Sequence, residues 1–148
     1  MSADDRLEIM DLVARYSYAW DEKNAQAYAA CFTEDAELEV YTRGREAPAI
    51  SERGREAIES WARRSHSGEI EGMRPPDPLE RTRHAPGGVV FDALEGDTAQ
   101  TRAMLFETRV AGGRSTAVPQ ISGVYTDEWR RTPDGWRLSR RVLHMDRQ

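Results

Sequence analysis

The sequence holds a single cysteine, Cys31, which excludes an intramolecular disulfide and any multi-cysteine metal site. Cys31 lies in the apolar stretch AYAACF and is expected to be a small core residue. That scarcity of thiols, with no signal-peptide or transit-like start, leads us to expect a cytoplasmic protein. No apolar run is long enough to cross a bilayer, so no membrane partner is expected. The three histidines include no His-x-His or His-x-x-x-His pair, so no metal is expected. Gly87-Gly88 and Gly112-Gly113 lack the spacing and the following helix of a phosphate loop. Neither Ser122 nor Ser139 has the context of a nucleophile elbow. The net charge is −5 and acids are interleaved among the arginines, which argues against a nucleic-acid groove.

The 148 residues are enough for one domain, residues 1–148, around one core. Residues 4–21 have helical periodicity: Leu7, Ile9, Met10, Leu12, Val13, Ala14, Tyr16, Ser17 and Trp20 project onto one broad arc. Ser2 is placed to cap this helix, with Asp4 and Asp5 in its first turn. Asp21 projects into the apolar arc at the negative end of the helix dipole. A carboxylate there needs a cationic or hydrogen-bonding partner. Asn24 can cap a short helix over 25–31, and a strand is predicted over 36–41. A breaker-rich loop leads to a helix over 55–65, and a polar, proline-bearing loop covers 67–78. The period then changes to two, with strands over 89–94, 98–110, 120–131 and 136–145 and a Pro133-Asp134-Gly135 turn. Helices first and antiparallel strands after give an α+β domain, with the helices covering one side of a curved sheet.

His66, in the polar stretch RSHSGE, is expected at the surface. His144 shares a predicted strand face with Trp136, Leu138, Arg140 and Val142, where it either faces a pocket or serves the structure. His84 stands where a loop meets the sheet, a position at which sites cluster. A buried carboxylate bonded to one imidazole nitrogen raises the basicity of the other, so Asp21 and His84 together would make a general base. Tyr16, Tyr18 and Tyr41 either offer hydroxyls to a substrate oxygen or pack. Arg140 either holds a carboxylate or forms an edge ion pair.

The pattern IMDLVARYSYAWDEKNAQAYAACFTEDAELE, then Thr82-Arg83-His84, then GVYTDEWRRTPDGWRLSRR resembles the SnoaL-like branch of the NTF2-like superfamily. Its layout is similar to that of scytalone dehydratase and bile-acid 7α-dehydratase. The resemblance implies a cone-shaped barrel, its N-terminal helices packed on a strongly curved, mostly antiparallel sheet around an apolar pocket. It also implies an enzyme that needs no metal or organic cofactor. The site it implies pairs Asp21 with His84 and adds Tyr16, with Tyr41 as a strand tyrosine, and Trp20, Arg140 and His144 are the other residues expected to line the substrate. The expected activity is dehydration, isomerisation or ring closure of a hydrophobic carbonyl or hydroxylated small molecule. The alternative is a non-catalytic ligand-binding or oligomer-scaffolding domain on the same fold. The resemblance and the amphipathic terminal strands imply a homodimer or homotrimer.

Overall fold

The first helix, α1 (Ala3–Asp21), begins in a reciprocal cap: the Ser2 hydroxyl accepts from the Asp5 N–H, and the Asp5 carboxylate accepts from the Ser2 N–H. Asp5 and Glu8 also reach across to the last strand of the chain, where they accept from the indole and backbone N–H groups of Trp136. The start of α1 is thus tied to the end of the sheet. The buried strip of α1 is narrower than its arc predicts: Ile9, Val13, Tyr16, Ser17 and Ala19 are buried, but Leu7 is 63% exposed. The computed structural model describes residues 2–72 and 76–147.

Further along the chain come α2 (Ala25–Ala29, capped by Asn24), β1 (Phe32–Thr42), β2 (Ile50–Arg53) and α3 (Arg55–Ser67). They are followed by β3 (Arg81–Glu95), β4 (Thr98–Val110), β5 (Val118–Thr132) and β6 (Gly135–Met145). The strands form one sheet in the order β2-β1-β6-β5-β4-β3, antiparallel except for the β1–β6 pair. This is an α+β fold with its helices packed on one face of a curved six-stranded sheet. Among the described residues no helix is long and apolar enough to cross a membrane.

Four sequence expectations change. The breaker-rich segment contains the short edge strand β2. Helix α3 runs to Ser67 and ends at Gly68, whose φ of 75° lets the chain turn back, so His66 is helical. The predicted loop over 67–78 therefore shortens at its start, and its residues 73–75, Pro75 included, lie outside the described residues. Strand β3 starts at Arg81, so His84 sits within a strand and not at its mouth. Pro86 is accommodated because β3 is an edge strand.

Two register shifts in β3, after Gly87 and after Phe91, bend that edge, and α1 packs along it. A third shift lies in β6, where Trp129 pairs with Leu138 but Glu128 pairs with Arg140, leaving Ser139 unpaired. The extra residue reverses the parity of the strand. Trp136 and Leu138 point inward before it, and Arg141 points inward after it, buried against Asp127.

Candidate active site

Asp21 is the last residue of α1, and its carboxylate collects three donors from β3. Oδ1 accepts from the Thr82 hydroxyl at 2.8 Å and from His84 Nδ1 at 2.6 Å, and Oδ2 accepts from the His84 backbone N–H at 2.8 Å. The side chain is 4% exposed. Burial alone would raise this carboxyl. The bonds from His84 and Thr82 outweigh it and hold the carboxyl below its ordinary value. The partner that the sequence demands for a carboxylate in the apolar arc is thus the Thr82–His84 segment of β3.

The second nitrogen of His84 is also engaged. Glu107 stands directly opposite His84 in the β3–β4 ladder, and its Oε2 lies 3.2 Å from Nε2. Burial would lower the imidazole, but the bonds to Asp21 and Glu107 outweigh it and raise the pKa to about 9. His84 therefore rests as an imidazolium between two carboxylates at neutral pH. Sequence reasoning missed Glu107. Its signal was parity: on β4 the inward positions are Ala99, Thr101, Ala103, Leu105 and then Glu107. A glutamate ending an inward row of small and apolar residues asks for a partner.

The other expected site residues scatter. Trp20 lies beside the dyad, its ring edge-on to His84 at 6.5 Å and to His66 at 4.5 Å, and it stacks on Trp61. Tyr16 is in the core, where its hydroxyl lies 2.6 Å from that of Tyr28 and its ring under the Arg141 guanidinium. It does not touch Asp21 or His84. The expectation that Tyr41, Arg140 and His144 line the pocket is corrected. They occupy the opposite sheet face, where Arg140 bonds Glu39 at 2.9 Å and Tyr41 stacks on His144. The reason is the Ser139 irregularity, which moves Arg140 and His144 out of the face of Trp136 and Leu138.

Next to the dyad is an open cavity of about 460 Å³, with Trp20, Asp21, His66, Thr82, Arg109 and Ile121 in its lining. Thr82 pairs with Arg109 and Glu107 with Ile121 across the ladders, so the cavity adjoins the His84–Glu107 pair. Among the described residues no group of His, Cys, Asp and Glu side chains is arranged to hold a metal ion.

The profile of the SnoaL-like domain matches residues 1–142 of this chain. An uncharacterised protein of Mycobacterium tuberculosis, Rv2910c, is 32% identical over 138 residues, which cover 93% of this chain and 83% of the relative. An NTF2-like protein with a cystatin-like fold from Novosphingobium aromaticivorans superimposes with a TM-score of 0.72 at 29% identity, covering 96% of this chain and 82% of its own. A second protein of that organism, whose name proposes scytalone dehydratase, gives 0.68 at 22% identity, with 97% and 88% covered.

Proposed function

The chain belongs to the SnoaL-like domain family, and on that footing we propose that it is an acid–base enzyme of the lyase or isomerase type. Its substrate is a hydrophobic small molecule with a carbonyl and a hydroxyl group, and loss of water is the first-choice reaction. The observation that carries the reading is the His84 imidazole held between Asp21 at 2.6 Å and Glu107 at 3.2 Å, beside a cavity. The name of the Novosphingobium relative points to the same chemistry.

The resting charges refine the roles. With its pKa raised to about 9, His84 is an acid at neutral pH, and the proton acceptor is the Glu107 carboxylate. Glu107 takes the proton from the carbon next to the carbonyl, and the electron pair forms the carbon–carbon double bond as the β-hydroxyl leaves. His84 gives its Nε2 proton to that hydroxyl, and water departs. The proton on Glu107 then crosses to Nε2 and restores the starting state. Asp21 is a positioning residue: it keeps Nδ1 protonated and the ring fixed. Isomerisation or ring closure follows from the same proton abstraction. The acid and the base lie on one side of the substrate, so the elimination is syn.

The test is turnover of 4-hydroxy-4-phenylbutan-2-one, whose conjugated enone product absorbs in the near ultraviolet. We expect turnover by the protein and loss of it in His84→Ala. Binding of a panel of β-hydroxy carbonyl compounds without turnover of any would move the chain to the ligand-binding alternative.

A further inference from the structure

The cavity beside the dyad contains polar groups that the acid–base chemistry does not use. Both ring nitrogens of His66 are buried and have no hydrogen-bond partner among the described residues. The same holds for Nε of Arg109, whose Nη1 lies 3.3 Å from Glu80. The two side chains that carry these three unpartnered atoms, one from α3 and one from β4, are in the lining of one cavity. Leaving such groups unmatched is unfavourable, and a ligand that matches them gains accordingly.

We propose that this cavity is a recognition subsite for an uncharged ligand bearing a carbonyl and a hydroxyl group, read by Arg109 and His66. An arginine Nε–H can only donate, so it selects an acceptor, which is the carbonyl oxygen. A neutral imidazole carries a donor on one nitrogen and an acceptor on the other, so a hydroxyl is matched at whichever nitrogen it meets. Burial lowers the His66 pKa to about 4, which keeps the ring neutral. Glu80 compensates the charge of Arg109, and Lys23 and Arg147 contribute only exposed rim charge. Among the described residues the one cation inside the cavity, Arg109, already faces a carboxylate. Trp20, stacked on Trp61, offers a flat apolar wall that touches both histidine rings.

The subsite also has the right reach. The Thr82–Arg109 pair lies two residues along the ladder from His84–Glu107, about 7 Å of strand. A small molecule seated on Arg109 extends to the proton-transferring pair.

This assignment rests on the acid–base reading for its orientation, but it is tested by binding alone. Four probes are titrated, with the His66 ring signals followed by NMR: 4-phenylbutan-2-one, 4-phenylbutan-2-ol, 4-hydroxy-4-phenylbutan-2-one and 4-phenylbutanoate. The hydroxyketone should bind tightest and the carboxylate weakest. Arg109→Met should weaken the two ketones by about tenfold and spare the alcohol. His66→Phe should weaken the two hydroxylated probes and spare the simple ketone, and His66→Gln, which keeps a donor and an acceptor, should restore them. Equal affinity for all four probes, or tightest binding of the carboxylate, overturns the subsite even where the variants fold poorly. Turnover without this selectivity defeats the subsite alone. Selectivity without turnover defeats the acid–base reading alone.

Discussion

His84 and Glu107 face each other across a single rung of the β3–β4 ladder, so their 3.2 Å contact is fixed by strand register and not by side-chain reach. Asp21 approaches the same ring from the end of a helix. Two independent elements thus fix the imidazole from opposite sides, and both supply negative charge. A histidine so placed favours its protonated form.

The first expected outcome is the pH dependence of turnover. An acid with a pKa raised to about 9 should give a kcat/KM that falls on the alkaline side near that value. Asp21→Asn removes one of the two carboxylates that raise His84, so the alkaline limb should move to lower pH. A rate that instead climbs through neutrality to an alkaline plateau would return the role of base to His84.

The three side chains should also behave as one unit. His84→Ala and Glu107→Gln should each lower the rate by about a hundredfold to ten-thousandfold. Asp21→Asn should act in the same direction, because it disturbs the tautomer that it fixes. The Asp21→Asn/His84→Ala double variant should be little worse than His84→Ala alone. Full activity in either single variant would remove the dyad from the mechanism.

Stability should follow the same protons. His84 has a folded pKa raised from 6.5 to about 9, so its contribution is complete below about pH 6.5 and fades as the pH rises through about 9. A shift of that size corresponds to about 3 kcal/mol at most. Asp21 is shifted downward, so its contribution is present above the usual carboxylate range and is lost on acidification. Urea midpoints should therefore be highest in mildly acidic solution and should fall toward about pH 9.5. His84→Gln should flatten the alkaline decline, and an unchanged slope in that variant would place its origin elsewhere.

A different ion pair governs the core. Arg141 and Asp127 are joined by two hydrogen bonds of 2.8 and 2.7 Å, with no exposure of either side chain. The guanidinium lies over the rings of Tyr16 and Tyr125. Asp127→Ala leaves a buried cation uncompensated and should destabilise the fold by about 3–5 kcal/mol. The apolar pair Asp127→Leu/Arg141→Met should cost far less. Equilibrium unfolding of the three proteins gives the comparison, and equal losses would mean that the charge itself contributes to folding.

The expected self-association has a surface to test. Met104, Phe106 and Val124 are exposed on neighbouring strands of the outer sheet face, with Met104 opposite Val124. Light scattering at micromolar concentration should give a dimer or trimer mass, and Phe106→Glu should reduce it. A monomer mass throughout would end that expectation.

Much of this was legible in the sequence because each element carries a local signal. The misfit of Asp21 in an apolar arc demanded a partner, and Thr82–His84 provides it. The later strands announced themselves by a period of two, the short edge strand β2 did not, and Ser2 and Asn24 marked the first two helix starts. What escaped depends on register. Glu107 is an ordinary glutamate until β4 is laid against β3, and His66 looked solvated because its helix runs two residues further than the polar stretch suggested. Pro86 hid the true start of β3, since proline is a breaker everywhere except at an edge.

The unpaired Ser139 carries a consequence for kinship. Arg140 and Arg141 are neighbours of identical chemistry with opposite fates: one bonds Glu39 on the outer sheet face, and the other is sealed in the core. Only the irregularity before them decides which is which. A relative that lost that residue would keep its inward arginine one place earlier in its own count. Correspondence between such chains must then be traced through the ladder partner Asp127, because the arginines themselves cannot tell which of them is homologous.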